Sequence, residues 1–306
     1  MEARSLGPFE VSVVGLGCNN FGGRLDSTAT SAVVNAALDA GITLFDTADM
    51  YSEGKSEEYL GIALGSRRDE VIVASKFGME MPDGSGGSAD WVRTAAEASL
   101  RRLGTDRIDL YQMHEPDEAV PLSETLGALG ELVAAGKVIA VGCSNVSVEE
   151  IRQGLGTSDG GELPQWVSVQ NEYSLLQRQP ETDGVLVECE QQGLGFLPFF
   201  PLASGVLTGK YRDASAPPDG TRLAGLPPER AARFLSDSTV AQSLRLEAFA
   251  AGHGHTLLDL AFGYLLSASA VSSVIAGATR VEQIAANASA ASWVLSPDEA
   301  AEARAL

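Results

Sequence analysis

The sequence predicts an α/β protein: eight parallel strands, each followed by a helix, closing into a (β/α)8 TIM barrel. A short β-hairpin is expected ahead of the first barrel strand, and a long loop after the seventh. Three observations predict this fold. Apolar runs of strand length alternate with helical patterns along the whole chain, and such alternation implies a parallel sheet. Eight strand–helix units can be counted, the number that closes a barrel. The length of 306 residues suits one barrel of about 250 residues with insertions, so residues 1–306 read as a single domain.

Leu6 to Val13 contains Gly7-Pro8 and reads as the hairpin that closes the barrel bottom. Val13–Gly17 is the first barrel strand. Gly15-Leu16-Gly17 opens like a dinucleotide fingerprint, but Asn20 stands at its third glycine and no helix begins there, which excludes a Rossmann unit. Ser27 or Thr28 is expected to cap a helix running to Ala40, with Val33, Ala36, Ala37 and Ala40 on one face and Gly41 as its stop. Ile42-Thr43-Leu44 is a buried strand that ends at Asp46. Strands at Val71–Ser75 and Ile108–Met113 are interleaved with helices at Lys55–Leu64, Ala89–Leu103 and Leu122–Ala135, each stopped by a glycine. Asp83–Ser88, all glycine, serine and aspartate, is expected as a mobile loop on the face that carries the strand ends.

The alternation continues with a strand at Val138–Cys143, a short helix at Val148–Gln153, a strand at Trp166–Gln170, a helix at Gly184–Gln192 and a strand at Gly195–Phe199. Pro201 to about Leu235 is irregular and rich in glycine and proline; loops of that length inside a compact domain are often functional. Helices at Asp237–Ala251 and Leu257–Ser267, a last strand at Val271–Ile275 and a last helix at Val281–Ala291 complete the chain. Only 13 residues follow Trp293, too few for a long lid, so an open pocket is expected.

Charged residues make up 20% and hydrophobic ones 44%, ordinary for a globular protein. The formal net charge of −20 argues against nucleic acid, which demands a basic footprint, and against anionic membrane surfaces. No stretch approaches the roughly 18 apolar residues of a membrane span, and Met1–Ser5 begins no signal-length apolar run. Cys18, Cys143 and Cys189 are few and odd in number, which suits a reducing cytosol. No metal-ligand spacing is present. Trp91 reads as packing at a helix start, His253 and His255 as an exposed turn, and Cys18 and Cys143 as small core residues.

Four ionisable residues fall at or just beyond the ends of three successive strands: Asp46, Tyr51, Lys76 and His114. Singly, each has an ordinary role, as a cap, a loop aromatic, a solvated amine or a core histidine. Together they sit on the edge where an α/β barrel gathers its chemistry. A free phenol titrates near 10 and a free lysine near 10.4. A cation against the phenol is expected to lower its pKa and make Tyr51 a general acid toward a carbonyl oxygen. Asp46 would hold Lys76, and His114 would orient the substrate. None is a covalent nucleophile, so a cofactor must supply the electron pair.

These segments resemble the aldo-keto reductase family over nearly the whole chain. The resemblance rests on Phe45-Asp46-Thr47-Ala48-Asp49-Met50-Tyr51, Gly15-Leu16-Gly17, Ser99–Gly104 with Asp109–His114, Gly142–Asn145, Gln170–Tyr173, Pro201–Lys210, and Gly277-Ala278-Thr279 with Gln283 and Asn287. It implies that Asp46, Tyr51, Lys76 and His114 are the catalytic tetrad. It implies a nicotinamide site of Gly17, Cys18, Asn19 and Asp46, with Ser144, Asn145 and Gln170 on the carboxamide and Phe199, beside Phe200, under the ring. It places Pro201, Leu202, Ser204, Gly205, Lys210 and Arg222 along the diphosphate, and Gly277, Thr279, Arg280, Gln283 and Asn287 at the adenosine end. The activity implied is NADPH-dependent reduction of a small aldehyde or ketone in the cytosol, with NADH as the other possible cofactor. Arg280 is expected to favour the 2′-phosphate. A sugar dehydrogenase using NAD and a non-catalytic cofactor-binding subunit, like potassium-channel β subunits, are the alternatives. Substrate and oligomeric state are not legible.

Overall fold

The computed structural model describes residues 1–158, 160–161 and 163–306. A hairpin comes first, β1 (Ala3–Leu6) antiparallel to β2 (Phe9–Ser12). Gly7 turns it at φ +57, where a Cβ would lie 2.6 Å from Val167 Cβ; glycine alone tolerates both conditions.

Eight parallel strands follow: β3 (Val14–Gly17), β4 (Leu44–Asp46), β5 (Ile72–Phe77), β6 (Ile108–Met113), β7 (Val138–Ser144), β8 (Trp166–Gln170), β9 (Gly195–Phe196) and β10 (Val274–Gly277). They pair in the order β10-β3-β4-β5-β6-β7-β8-β9. A parallel bridge from Phe196 to Val271 joins the two edges. The N–H of Phe196 donates to Ala270 O, that of Ser272 to Phe196 O and that of Ile275 to Pro198 O, at 2.7 to 3.1 Å. These bonds close the sheet into the expected (β/α)8 barrel.

The helices between the strands are α1 (Ser27–Asp39), α2 (Lys55–Leu64), α3 (Ala89–Leu103), α4 (Leu122–Ala134), α5 (Val148–Ser158), α6 (Gln179–Thr182) and α7 (Val185–Gln192). After β9 come α8 (Pro228–Ala231), α9 (Asp237–Gly252), α10 (Leu257–Leu266), and then, beyond β10, α11 (Val281–Ala290) and α12 (Pro297–Ala305). Their apolar faces and the outward side chains of the strands form the main core. The barrel interior is a separate cluster of Leu44, Ala74, Leu110, Ala140, Leu197 and Ile275, covered from below by Leu6 and Val11 of the hairpin. Gly195 makes room for that plug, since a Cβ there would lie 2.4 Å from Leu6.

Several boundaries differ from the sequence reading. Asp26, not Ser27 or Thr28, caps α1 and accepts the Ala29 N–H at 2.8 Å. α5 runs on to Ser158 because Gly154 lets it lie against Trp166, where a Cβ would be 2.0 Å from the indole nitrogen. β9 ends at Phe196; two residues on, Pro198 has no N–H for the ladder, and Phe199 bridges Glu172 instead. β10 begins at Val274, and Val271 serves as the closing bridge. α12 went unread, although Ser296 and Glu299 form a capping box with Pro297 in the first turn. The segment expected to be mobile is tied down: Gly86 N–H donates to Gly78 O, Gly87 N–H to Asp117, and Thr125 to Gly87 O. The edge of Trp91 lies against Gly84.

Candidate active site

The strand period of two builds the floor of the site. Along β4, β5 and β6 the inward positions are first Leu44, Ala74 and Leu110, all in the apolar plug. Two residues later the same face carries Asp46, Lys76 and Gln112. Lys76 and Gln112 are partners in register. Lys76 Nζ donates to Asp46 Oδ2 at 2.7 Å and to Thr47 O at 2.9 Å. Asp46 Oδ1 accepts from Gln170 Nε2 at 2.9 Å and from Gln112 Nε2 at 3.3 Å. Asp46 is 3% exposed and Lys76 0%, so this ion pair is buried, and the two amides satisfy the second oxygen. Gly142 of β7 must be glycine here, because a Cβ would lie 2.2 Å from Ser168 Oγ and 3.2 Å from Gln112.

Tyr51 stands above this floor on the turn after β4. The Lys76 ammonium is 5.3 Å from its ring centre, and the His114 ring meets it edge-on at 5.8 Å and 80°. Asn145 Nδ2 fixes the end of β6 by donating to His114 O at 2.9 Å. The four residues expected from sequence as a tetrad are therefore together.

Their electrostatics differ from expectation in one respect. Burial pushes the Tyr51 phenol above its ordinary value, and the pull of Lys76 offsets this only in part. The phenol therefore holds its proton, which suits an acid waiting for an acceptor. For Lys76, burial pulls downward, but Asp46 and Tyr51 outweigh it and leave the ammonium above its ordinary range. Burial, with Lys76 second, lowers His114 to about 3. The imidazole is neutral at physiological pH, and among the described residues its buried Nδ1 has no partner.

A cavity of about 490 Å³ opens over Tyr51. Every residue that the resemblance placed at the cofactor lines it, from Gly17 to Asn287, as do Tyr51 and His114; Lys76 lies behind the wall. The loop after β9 forms one side. Phe200, Ala203 and Ser204 have φ of +50, +45 and +55, strained values for side-chain-bearing residues. Ser52, Glu53 and Asn145 share the feature, and all six follow strand ends on this face, Ala203 and Ser204 in a short 3-10 turn. Lys210 folds onto Gly205, where a Cβ would stand 2.8 Å from Nζ, and the Arg222 guanidinium lies 5.2 Å above the Phe200 ring.

The residues fit a dinucleotide. Arg24, Lys210, Arg222 and Arg280 line the cavity, and among the described residues none of them forms an ion pair. In a chain of net charge −20, that concentration of unpaired cations calls for phosphates. Among the described residues the buried Ser204 Oγ has no partner. Gln283 Oε1 accepts from Thr279 N at 2.7 Å and from its hydroxyl at 3.2 Å, shaping the far end.

Two participants were missed in the sequence. Gln112 donates to Asp46, and its signal was a polar residue in an apolar strand, two positions after Leu110. Arg24 was the lone basic residue in the loop after the first barrel strand.

The chain that carries this arrangement matches known proteins in sequence. Residues 13–306 match the Aldo/keto reductase family. The chain belongs to that family. It is 33% identical over 286 residues to L-glyceraldehyde 3-phosphate reductase of Escherichia coli (strain K12), covering 89% of this chain and 81% of that protein. It is 33% identical over 295 residues to the probable voltage-gated potassium channel subunit beta of Arabidopsis thaliana, covering 94% and 90%. It is 32% identical over 303 residues to probable aldo-keto reductase 1 of Glycine max, covering 96% and 85%. This aldo-keto reductase is an oxidoreductase of small carbonyl substrates. Among its described residues no helix is long and apolar enough to cross a membrane.

Proposed function

We propose that this aldo-keto reductase, working as one domain in the cytosol, reduces an aldehyde or ketone to an alcohol with NADPH, and that Tyr51 is the general acid. One observation carries the reading: Lys76 is locked to Asp46 at 2.7 Å and lies 5.3 Å from the Tyr51 ring, at the floor of a cation-lined cavity. The residues lining the cavity would hold a nicotinamide dinucleotide, which when bound would supply the hydride. Tyr51 gives its hydroxyl proton to the carbonyl oxygen. The Lys76 ammonium stabilises the phenolate left behind, and Asp46, with Gln112 and Gln170 on its other oxygen, keeps Lys76 in place. His114, neutral, hydrogen-bonds the same carbonyl oxygen and sets its direction.

Arg280 precedes α11 and lines the cavity, at the end the resemblance assigns to adenosine. An arginine beside a helix N-terminus suits a 2′-phosphate. The neighbours Ala278 and Val281 add no second charge, so the preference for NADPH over NADH is about ten- to hundredfold, or roughly 1.4–2.8 kcal/mol.

The test is cofactor oxidation with a panel of carbonyls, short phosphorylated aldehydes first because the Escherichia coli relative is named for one. Side-by-side titrations of NADPH and NADH accompany it, repeated on Arg280→Ala. Carbonyl-dependent oxidation of NADPH, and a preference that Arg280→Ala erases, are expected. A wild type that favours NADH would overturn the cofactor assignment and advance the dehydrogenase.

A further inference from the structure

Asp49 lies two residues before Tyr51, in the turn between β4 and α2. It is 1% exposed; among the described residues no side chain bonds its carboxyl oxygens, and only the Met50 backbone N–H favours the charged form by hydrogen bonding. Its backbone ties it to the catalytic residues: Asp49 N–H donates to Lys76 O at 3.2 Å, and Tyr51 N–H to Ala48 O at 3.3 Å. The side chain faces Glu57 of α2 and Arg102 of α3, so a charge on it bears on how the Tyr51 turn packs against those helices.

The charged and titratable groups facing it are Glu57 of α2, Arg102 of α3, Lys76 of β5 and Tyr111 of β6. The cations among them are already engaged. Arg102 donates to Glu57 at 2.7 Å and to Ser99 at 3.2 Å, while Lys76 is held by Asp46 and Thr47. Glu57 is itself buried, and its other oxygen accepts from Ser75. An ionised Asp49 would be a second buried carboxylate beside Glu57, sharing one arginine that Glu57 already holds. A buried charge without a partner neutralises instead. The protonated acid can donate as well as accept, and the Tyr111 hydroxyl, raised first by its own burial, feels the Asp49 charge, which pushes it further up.

We propose that Asp49 is a positioning residue that holds the Tyr51 turn as the neutral acid, and that its ionisation loosens the turn and slows carbonyl reduction. Burial, and then Glu57, push its carboxyl up to about 7. Tyr51 and Lys76 stay above their ordinary values, and His114 falls to about 3. Asp49 thus changes charge near neutral pH, where these three do not. Below about pH 7 it is neutral and the turn is set; above it the carboxylate accumulates and the rate falls. The rate consequence rests on the reductase reading, but the charge state does not.

Two measurements on the full chain test this. Infrared difference spectra between about pH 6 and pH 9 should show a protonated carboxyl band in the wild type that titrates near neutrality and is missing in Asp49→Asn. The pH profile of kcat/KM should fall with the same midpoint in the wild type, whereas Asp49→Asn, fixed neutral, should keep its low-pH rate through pH 9. A band that is absent at pH 6, or that persists in Asp49→Asn, overturns the proposal. So does a falling limb unchanged in the variant. If no carbonyl is reduced at any pH, the reductase reading fails and the infrared titration still decides the charge state.

Discussion

The two ends of the barrel interior are made from the same strands, two residues apart, and they behave as different materials. At the bottom, Leu44, Ala74 and Leu110 pack against Leu6 and Val11 as an apolar cluster with no buried charge. At the top, Asp46, Lys76 and Gln112 bury charge and must satisfy every atom. The described non-glycine residues with positive φ all lie beyond the C-terminal ends of β4, β7 and β9. Strain of that kind costs about 1–3 kcal/mol per residue and persists only where the surroundings enforce it. The lesson is a division of labour: the plugged end supplies stability, and the open end spends some of it on geometry.

Substitutions at the two ends should separate loss of stability from loss of chemistry. The largest effect is expected from Lys76→Met at the top. It leaves the Asp46 carboxylate buried without its cation, which costs about 3–5 kcal/mol of stability, and it removes the charge that offsets the burial of Tyr51. Chemical denaturation together with a pH–rate profile checks this. The optimum should move to higher pH or activity should vanish, and an unchanged profile would detach Lys76 from Tyr51.

Next comes Leu110→Ala at the bottom, with a loss of about 2–5 kcal/mol from a cavity in the plug. Denaturation should report that loss while the pH profile of the folded enzyme keeps its wild-type shape. A shifted profile would mean that the two layers are coupled rather than separate. The smallest effect is expected from Phe199→Ala on the loop after β9. Losing an aromatic face there should weaken cofactor binding by roughly 1 kcal/mol, read by fluorescence titration. Equal dissociation constants would remove Phe199 from the groove.

Most of the barrel was legible because both of its signals are local. The strand period of two and the placement of Asp46, Lys76 and His114 at the ends of apolar runs need no knowledge of neighbours. What stayed hidden depends on tertiary contact. Gln112 looked like one polar residue in a strand until register placed it beside Lys76. Asp49 read as one more acidic loop residue, and only the packing of α2 and α3 around it makes it buried. The Tyr51 phenol was expected to fall in pKa because the sequence shows a nearby lysine; it rises because burial, which the sequence does not show, is the larger effect. α12 was overlooked although Ser296-Pro297-Asp298-Glu299 spells out its cap.

The central claim is that Tyr51 delivers the proton and does little else. Turnover and cofactor binding measured together on Tyr51→Phe test it most directly. The variant should lose about 10²–10⁴-fold in rate, the usual worth of general acid catalysis, while its cofactor dissociation constant stays within about twofold of wild type, below 0.5 kcal/mol. Turnover near the wild-type rate would contradict the account.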